Sequence, residues 1–335
     1  MDLGLNHYAL TPPIREALLP SAGTNNHNRG LRTGAGDYVW RTYRTHTDAA
    51  TILYEHELLA WLNRQPLSFA VPAPVRMKDG QTLGCNEAGF QALFPWLPGA
   101  PSDRADPAHM WAVGAALGEL HTVLRCAPST SRPGMFGYAV LEKIHPALPE
   151  PWALTPVGLP PLEPPIARQE TESLLAYWRA ELIAIRQWRD SHYAALPQQV
   201  IHGDFTPGNM LMLEGRVSAI LDFDFAMCDA RAMDVAAGLY YVMRVWENRN
   251  PWDVAAAFCQ GYSRHVQLSR AEIAAIPWLM RLRNVVSTIY RIGKHWEANQ
   301  PLMLWRLEAP HEFTNWLRKY GRKLEEMLEE NCRSS

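Results

Sequence analysis

Hydrophobic and polar positions divide this chain into two unlike stretches. Up to about Gly99, apolar residues come in short runs or alternate with polar ones. The segment DYVWRTY, Asp37 to Tyr43, alternates and is rich in β-formers, which predicts a strand. From Thr47 the period changes. Ile52, Leu58, Leu59 and Leu62 recur at helical spacing, and Thr47-Asp48 offers capping residues at the start. VPAPVRMKDGQTLG, Val71 to Gly84, reads as a hairpin turning at Asp79-Gly80. FQALFPWLPG then reads as a short strand stopped by Pro98-Gly99.

From Asp103 onward helical periodicity takes over, in AHMWAVGAALGELHTVLR and again in ESLLAYWRAELIAIRQWRDSHYAAL. Between them, Ala147 to Pro165 is too proline-dense for a regular helix and reads as a surface excursion. Two strand-like segments flank a turn at Glu214-Gly215, and helical patterns run from about Ala232 to the end. The expected order is a strand-rich N-lobe over residues 1–93, a connector over 94–98 and a helical C-lobe over 99–335. That is an α+β chain whose inter-lobe cleft is a natural ligand site.

Composition narrows the function without naming it. The chain has 335 residues, is 47% hydrophobic and carries a formal charge of -2, so it is long enough for two well-buried units. Without a basic run or stripe, a nucleic-acid partner is not expected. The five scattered, odd-numbered cysteines lack metal spacing and read as reduced thiols, which points to the cytoplasm. No signal peptide is visible in MDLGLNHYAL and no apolar run is long enough to span a bilayer, so no membrane partner is expected. The thirteen tryptophans read as core and interface packing.

The chemistry concentrates in VIHGDFTPGNML, Val200 to Leu211. Phosphoryl transfer asks for positioning, a carboxylate at the attacking hydroxyl and metal ions on the phosphates. His202-Gly203-Asp204 followed by Asn209 supplies a carboxylate and an amide at that spacing. Mg²⁺ takes only one or two protein carboxylates, so a second ligand should arrive from a nearby strand. Asp222, after the apolar pair Ile220-Leu221, fits, and Asp224 two residues on shares its strand face, which would point both carboxylates into one site. Each piece alone is weak, since a lone Asp near a turn is usually a cap. Their succession points to a kinase catalytic loop, with Asp204 as base and Asn209 and Asp222 as metal ligands.

On HGDFTPGNML and ILDFDFAMCDARAMDVAAGL the chain resembles the aminoglycoside phosphotransferase/choline kinase superfamily, over nearly its whole length. The resemblance implies a bilobal protein-kinase-like fold, with ATP as phosphate donor, Mg²⁺ and a small-molecule hydroxyl acceptor. It makes Asp234 a structural brace of the catalytic loop, and LGELH makes His121 a packing or bracing residue. It also implies that SAGTNNHNRG, with Ser21, Gly23, Asn26 and Asn28, covers the nucleotide phosphates; an ordinary hairpin loop is the alternative. Arg41 takes the place of the usual phosphate-pairing Lys. Its helix partner is Glu55, with Glu57 as runner-up. The connector FPWL, from Phe94 to Leu97, would offer backbone groups to adenine.

GTNNHN, VPAPVRMKDGQTLG and GYSRHVQLSRAEIAAIPWLMRLR resemble the homoserine-kinase-like branch. Asp224 departs from it, standing where that branch often has an aromatic. A carboxylate-bearing acceptor would want an arginine clamp, for which Arg281, Arg283 and Arg291 are candidates alongside a plain solvated or acid-paired face. Three functions are carried forward. The first is a small-molecule kinase for homoserine or a related amino alcohol. The second is an aminoglycoside or macrolide kinase, and the third a non-catalytic relative. A monomer or homodimer is expected.

Overall fold

The computed structural model describes residues 4–17, 26–128, 131–244 and 250–332. The N-lobe is a five-stranded antiparallel sheet in the order β1-β2-β3-β5-β4. Its strands are β1 (Arg15–Ala17), β2 (His27–Thr33), β3 (Gly36–Thr42), β4 (Gly84–Asn86) and β5 (Gly89–Pro95). Helix α1 (Ala49–Leu62) begins at Asp48, whose carboxylate accepts the Thr51 N–H at 2.9 Å, a standard N-cap bond. It buries Ile52, Glu55, Leu58, Leu59 and Leu62, a stripe at helical spacing with one carboxylate in it.

The expected hairpin over Val71–Gly84 is only a turn. Met77 donates its N–H to the Gln81 carbonyl at 2.7 Å around Asp79-Gly80, but the flanks are irregular and β4 starts only at Gly84. Pro72 and Pro74 lack the N–H groups a strand ladder needs. Strand β5 runs on to Pro95, so the sheet reaches into the segment expected to connect the lobes.

Beyond it come β6 (Ala100–Pro101), α2 (Pro107–Leu124), β7 (Leu162–Glu163), α3 (Arg168–His192) and β8 (Gln198–Ile201). Next are β9 (Met210–Leu213), β10 (Arg216–Ile220), β11 (Met227–Ala230), α4 (Ala232–Met243) and α5 (Pro251–Ser263). Helix α6 (Arg270–Glu297), β12 (Leu302–Met303) and α7 (Trp305–Cys332) complete the chain. The proline-dense stretch forms short 3₁₀ turns and β7, which pairs in parallel with β12. It is therefore stitched to the C-lobe. Among the described residues no helix is long and apolar enough to cross a membrane.

Helices α2 and α5 approach backbone to backbone. A Cβ at Gly114 would sit 1.9 Å from the Phe258 carbonyl oxygen, and one at Gly261 would sit 2.0 Å from that of Trp111. Only glycine permits that approach. One large hydrophobic cluster spans the C-lobe and reaches α1 and β5; a small one (Tyr8, Leu31, Trp40, Leu93) lies on the sheet.

Arg281 is no part of a substrate clamp. It donates to both oxygens of fully buried Glu181 at 2.7 and 2.9 Å and lies 4.0 Å from the centre of the Trp278 ring. Arg318 donates to the same carboxylate. Removing one partner strands the buried charge of the other. Glu181→Ala should lower stability by about 3–5 kcal/mol in chemical denaturation; a loss below about 1 kcal/mol would show that water compensates Arg281.

Candidate active site

Strand β8, with Val200 and Ile201 fully buried, delivers the loop that starts at His202. The loop is held from below by Asp234, in the first turn of α4. Its carboxylate accepts the N–H of His202 at 2.7 Å and of Gly203 at 2.9 Å. It also meets His121 Nε2 at 3.1 Å. A carboxylate only accepts, so that ring nitrogen carries the proton, and Nδ1 is left for the Tyr262 hydroxyl at 3.0 Å. His121 and Asp234 are thus bracing groups. Gly203 has φ of +80°, and a Cβ there would come 2.0 Å from the Phe225 carbonyl oxygen. Its own carbonyl accepts the Tyr138 hydroxyl at 2.5 Å, a contact with no signal in the sequence.

Asp204 follows, partly exposed. Its Oδ1 accepts from Arg283 Nη2 of α6 at 2.6 Å, and its carbonyl accepts from Asn209 Nδ2 at 3.1 Å. That bond turns the Asn209 amide nitrogen toward the loop backbone, so its oxygen is the group left for a cation. The Leu221 N–H donates to the Asn209 carbonyl at 2.9 Å, which sets Asp222 beside Asn209.

Asp222 and Asp224 do not share a strand face, because β10 ends at Ile220. Asp222 instead takes a φ of +65°, a strained value for a non-glycine residue. Its Oδ1 is buried and has no hydrogen-bond partner. Asp224 is fully buried and faces the N-lobe. It accepts from Arg41 Nη1 at 2.9 Å and from the Asn26 amide, while its carbonyl meets His46 Nε2 at 2.8 Å. Arg41 also donates to Glu55 at 3.2 Å, and its guanidinium lies 4.9 Å from the centre of the Phe94 ring. Glu55 is therefore the residue that meets Arg41; Glu57 lines a separate cavity on the other side of the helix.

The other sequence candidates are placed as follows. Asn26 is occupied by Asp224 and by the Arg44 N–H at 3.1 Å. Asn28 pairs in register with Arg41 across β2 and β3. Phe94 is buried near the end of β5, and Leu97 lies two residues past that strand. Ser21 and Gly23 lie outside the described residues. Sequence reasoning missed Arg132. It reaches across from the loop after α2, donating to the Thr51 carbonyl at 3.2 Å and to those of Phe223 and Ala226 at 3.2 and 2.9 Å. An arginine in an irregular loop carries no periodic signal.

The electrostatics are lopsided. Burial pushes Glu55 up to about 8 and Asp222 up to about 7, and in both cases Asp224 adds to the rise. Arg41 stands between Glu55 and Asp224, and Arg132 adds a second positive charge that lowers Glu55 without an ion pair; the two do not offset all three carboxylates. No three His, Cys, Asp or Glu side chains form a closed metal site among the described residues. The buried, unpartnered Asp222 oxygen beside the Asn209 amide instead fits an open site for a hard divalent cation that keeps water or phosphate oxygens.

Residues 16–275 match the family described as the phosphotransferase enzyme family. A homoserine kinase of Granulibacter bethesdensis is 30% identical over 262 residues, covering 77% of this chain and 74% of its own. An aminopropanol kinase associated with a microcompartment superposes with a TM-score of 0.69 at 16% identity, covering 96% of this chain and 97% of that one. An amicoumacin kinase, solved with AMP-PNP, Ca²⁺ and its antibiotic, gives 0.67 at 17% identity, covering 96% and 91%. The last two likenesses establish the kinase-like bilobal fold.

The raised carboxylates have a consequence for stability. Glu55 and Asp222 hold protons in the folded state at pH values where the unfolded chain has lost them. Their contribution is fully present below the ordinary carboxylate range and is lost as pH rises through about 7 and 8. The melting temperature of the protein without nucleotide or metal should therefore fall between about pH 5 and pH 8.5. Asp222→Asn should flatten that fall. Equal slopes in the two proteins would show that Asp222 carries no excess proton.

Proposed function

This chain belongs to the phosphotransferase enzyme family, an enzyme with an alcohol group as acceptor, and on that premise we propose that it moves the γ-phosphoryl group of ATP to the hydroxyl of homoserine or a related amino alcohol. The observation that carries the reading is the placing of Asp204 beside Asn209 and Asp222, with the loop between Asp204 and Asn209 (Thr206, Pro207, Gly208) lining a cavity of about 370 Å³. Such a cavity suits a small acceptor. The identity to homoserine kinases supports the choice of substrate.

In this reading the acceptor hydroxyl lies at Asp204, which takes its proton as the oxygen attacks phosphorus and the bond to the β-phosphate oxygen breaks. Asn209 and Asp222 would hold Mg²⁺, which when bound offsets the negative charge of the phosphates. Arg41 steadies the α- and β-phosphates, tethered by Glu55 as in the Lys–Glu pair of protein kinases. Asn26, just before β2, and Asn28 within it meet the phosphates in this reading, and Asn26 ties that strand to Asp224. The backbone near Phe94 and Leu97 receives adenine. The N-lobe over 1–93, connector over 94–98 and C-lobe over 99–335 frame this cleft. A cytoplasmic monomer or homodimer without a nucleic-acid partner completes the reading, supported by the near-balanced charge of the chain.

A polycationic antibiotic as acceptor is disfavoured by Arg283, which lies directly against Asp204. Coupled ADP release with Mg-ATP should show turnover with homoserine or a short amino alcohol. Turnover confined to aminoglycosides or macrolides would overturn the assignment. Asp204→Asn should cut kcat by about 10²–10⁴-fold while Mg-ATP still binds; an unchanged kcat removes Asp204 as base. Asp222→Ala should abolish the Mg²⁺ dependence of nucleotide binding in calorimetry, and a normal dependence would exclude it as a ligand.

A further inference from the structure

Arg283 is buried on α6 and is used only in part. Its Nη2 donates to Asp204 at 2.6 Å and to the Tyr241 hydroxyl at 3.3 Å. Its guanidinium lies 4.9 Å from the Tyr241 ring centre and 5.3 Å from that of Tyr240. Its Nε is buried and has no hydrogen-bond partner. A guanidinium normally meets a carboxylate through two nitrogens, and here one nitrogen does all the bonding.

More positive charge stands behind it. Arg291 lies on the same helix, and burial and then Arg306 and Arg283 hold it below the ordinary guanidinium value. Arg306 also has a buried Nε without a partner. Among the described residues neither Arg291 nor Arg306 forms an ion pair. Arg244 donates to the Tyr240 hydroxyl at 2.5 Å. Arg283, Arg244 and Arg291 thus lie about two tyrosines, with Arg306 beside Arg291, and among the described residues Asp204 is the one carboxylate that answers Arg283. Buried cations without matching anions are costly, so the cluster is complete only when an anion enters it.

The cavity beside the catalytic loop supplies the route. Tyr241, whose hydroxyl accepts from Arg283, lines it together with Asp103, Arg104, Thr206 and Gly208. Asp103 provides a carboxylate at its exposed rim, which suits an ammonium group.

Resting on the amino-alcohol reading above, we propose that Arg283 is the specificity-determining residue of this kinase: its unfilled edge takes the carboxylate of an acceptor that also carries the reacting hydroxyl. The preferred substrate class is then a hydroxy amino acid, with amino alcohols that lack the carboxylate poor acceptors. Arg283 holds Asp204 through Nη2 and the substrate carboxylate through its remaining donors, so one side chain sets the distance between the acceptor's anion and the base. Arg291 and Arg306 add to the positive field without touching the reacting atoms.

The test compares three acceptors on the wild-type enzyme by coupled ADP release: homoserine, its amide, and 3-amino-1-propanol, which is homoserine without the carboxylate. The proposal expects kcat/KM to drop by at least about 100-fold for the two acceptors without the negative charge, because a site built for a polar group discriminates strongly against its loss. Values within about threefold of one another would overturn it and leave the kinase assignment standing. No turnover with any of the three, while Mg-ATP still binds, would overturn the assignment and the proposal together. In Arg283→Met the preference for homoserine over 3-amino-1-propanol should fall at least about tenfold, with part of it kept in Arg283→Lys. An undiminished preference in a folded Arg283→Met enzyme would remove Arg283 from the role.

Discussion

The Arg41 guanidinium is buried between Glu55 of α1 and Asp224 of the segment after β10, with Asp222 close by. This cation joins the sheet of the N-lobe, the helix behind it and the loop of the C-lobe that carries Asp222 and Asp224. Three carboxylates face Arg41 and, without an ion pair, Arg132, and burial together with that surplus of negative charge raises Glu55 and Asp222. Buried charge of one sign is tolerated only when something offsets it. A divalent cation does so while presenting phosphate oxygens to the acceptor. In this account the cleft is built short of positive charge so that metal and nucleotide complete it together.

The other half of the site has the opposite imbalance. Asp204 faces Arg283, and behind Arg283 lie Arg291 and Arg306. The catalytic loop separates the two regions, and its position is not left to its own backbone. Asp234 accepts two consecutive loop N–H groups and is itself tied through His121 to Tyr262 on α5. That helix is locked onto α2 through Gly114 and Gly261. The packing of two helices is thereby transmitted to the loop that carries Asp204.

Much of this was legible in the sequence where the partners are near one another. His202, Asp204, Asn209 and Asp222 lie within a short span, and the apolar pairs before His202 and Asp222 mark the two short strands that carry them. The periodicity of α1, α2 and α3 was equally plain. What the sequence hid depends on distant contacts or on backbone angles. Arg283 is a clamp candidate in the sequence alongside Arg281 and Arg291, but nothing there distinguishes it from them or shows its pairing with Asp204, 79 positions away. Arg132 lies in a loop with no period to betray it. Asp222 and Asp224 follow an apolar strand, and alternation puts them on one face; the positive φ at Asp222 ends the strand and turns them to different partners. The prolines at 72 and 74 spoiled a hairpin that the turn alone suggested.

The charge imbalance at Arg41 is best tested by calorimetry of preformed Mg-ATP binding near neutral pH, in buffers of different ionisation enthalpy. If Asp222 and Glu55 hold excess protons in the empty cleft, binding must release protons, and the observed heat must vary with the buffer. Asp222→Asn must release fewer. Heats independent of the buffer would contradict the account, because they would mean that the carboxylates are already fully ionised before the metal arrives.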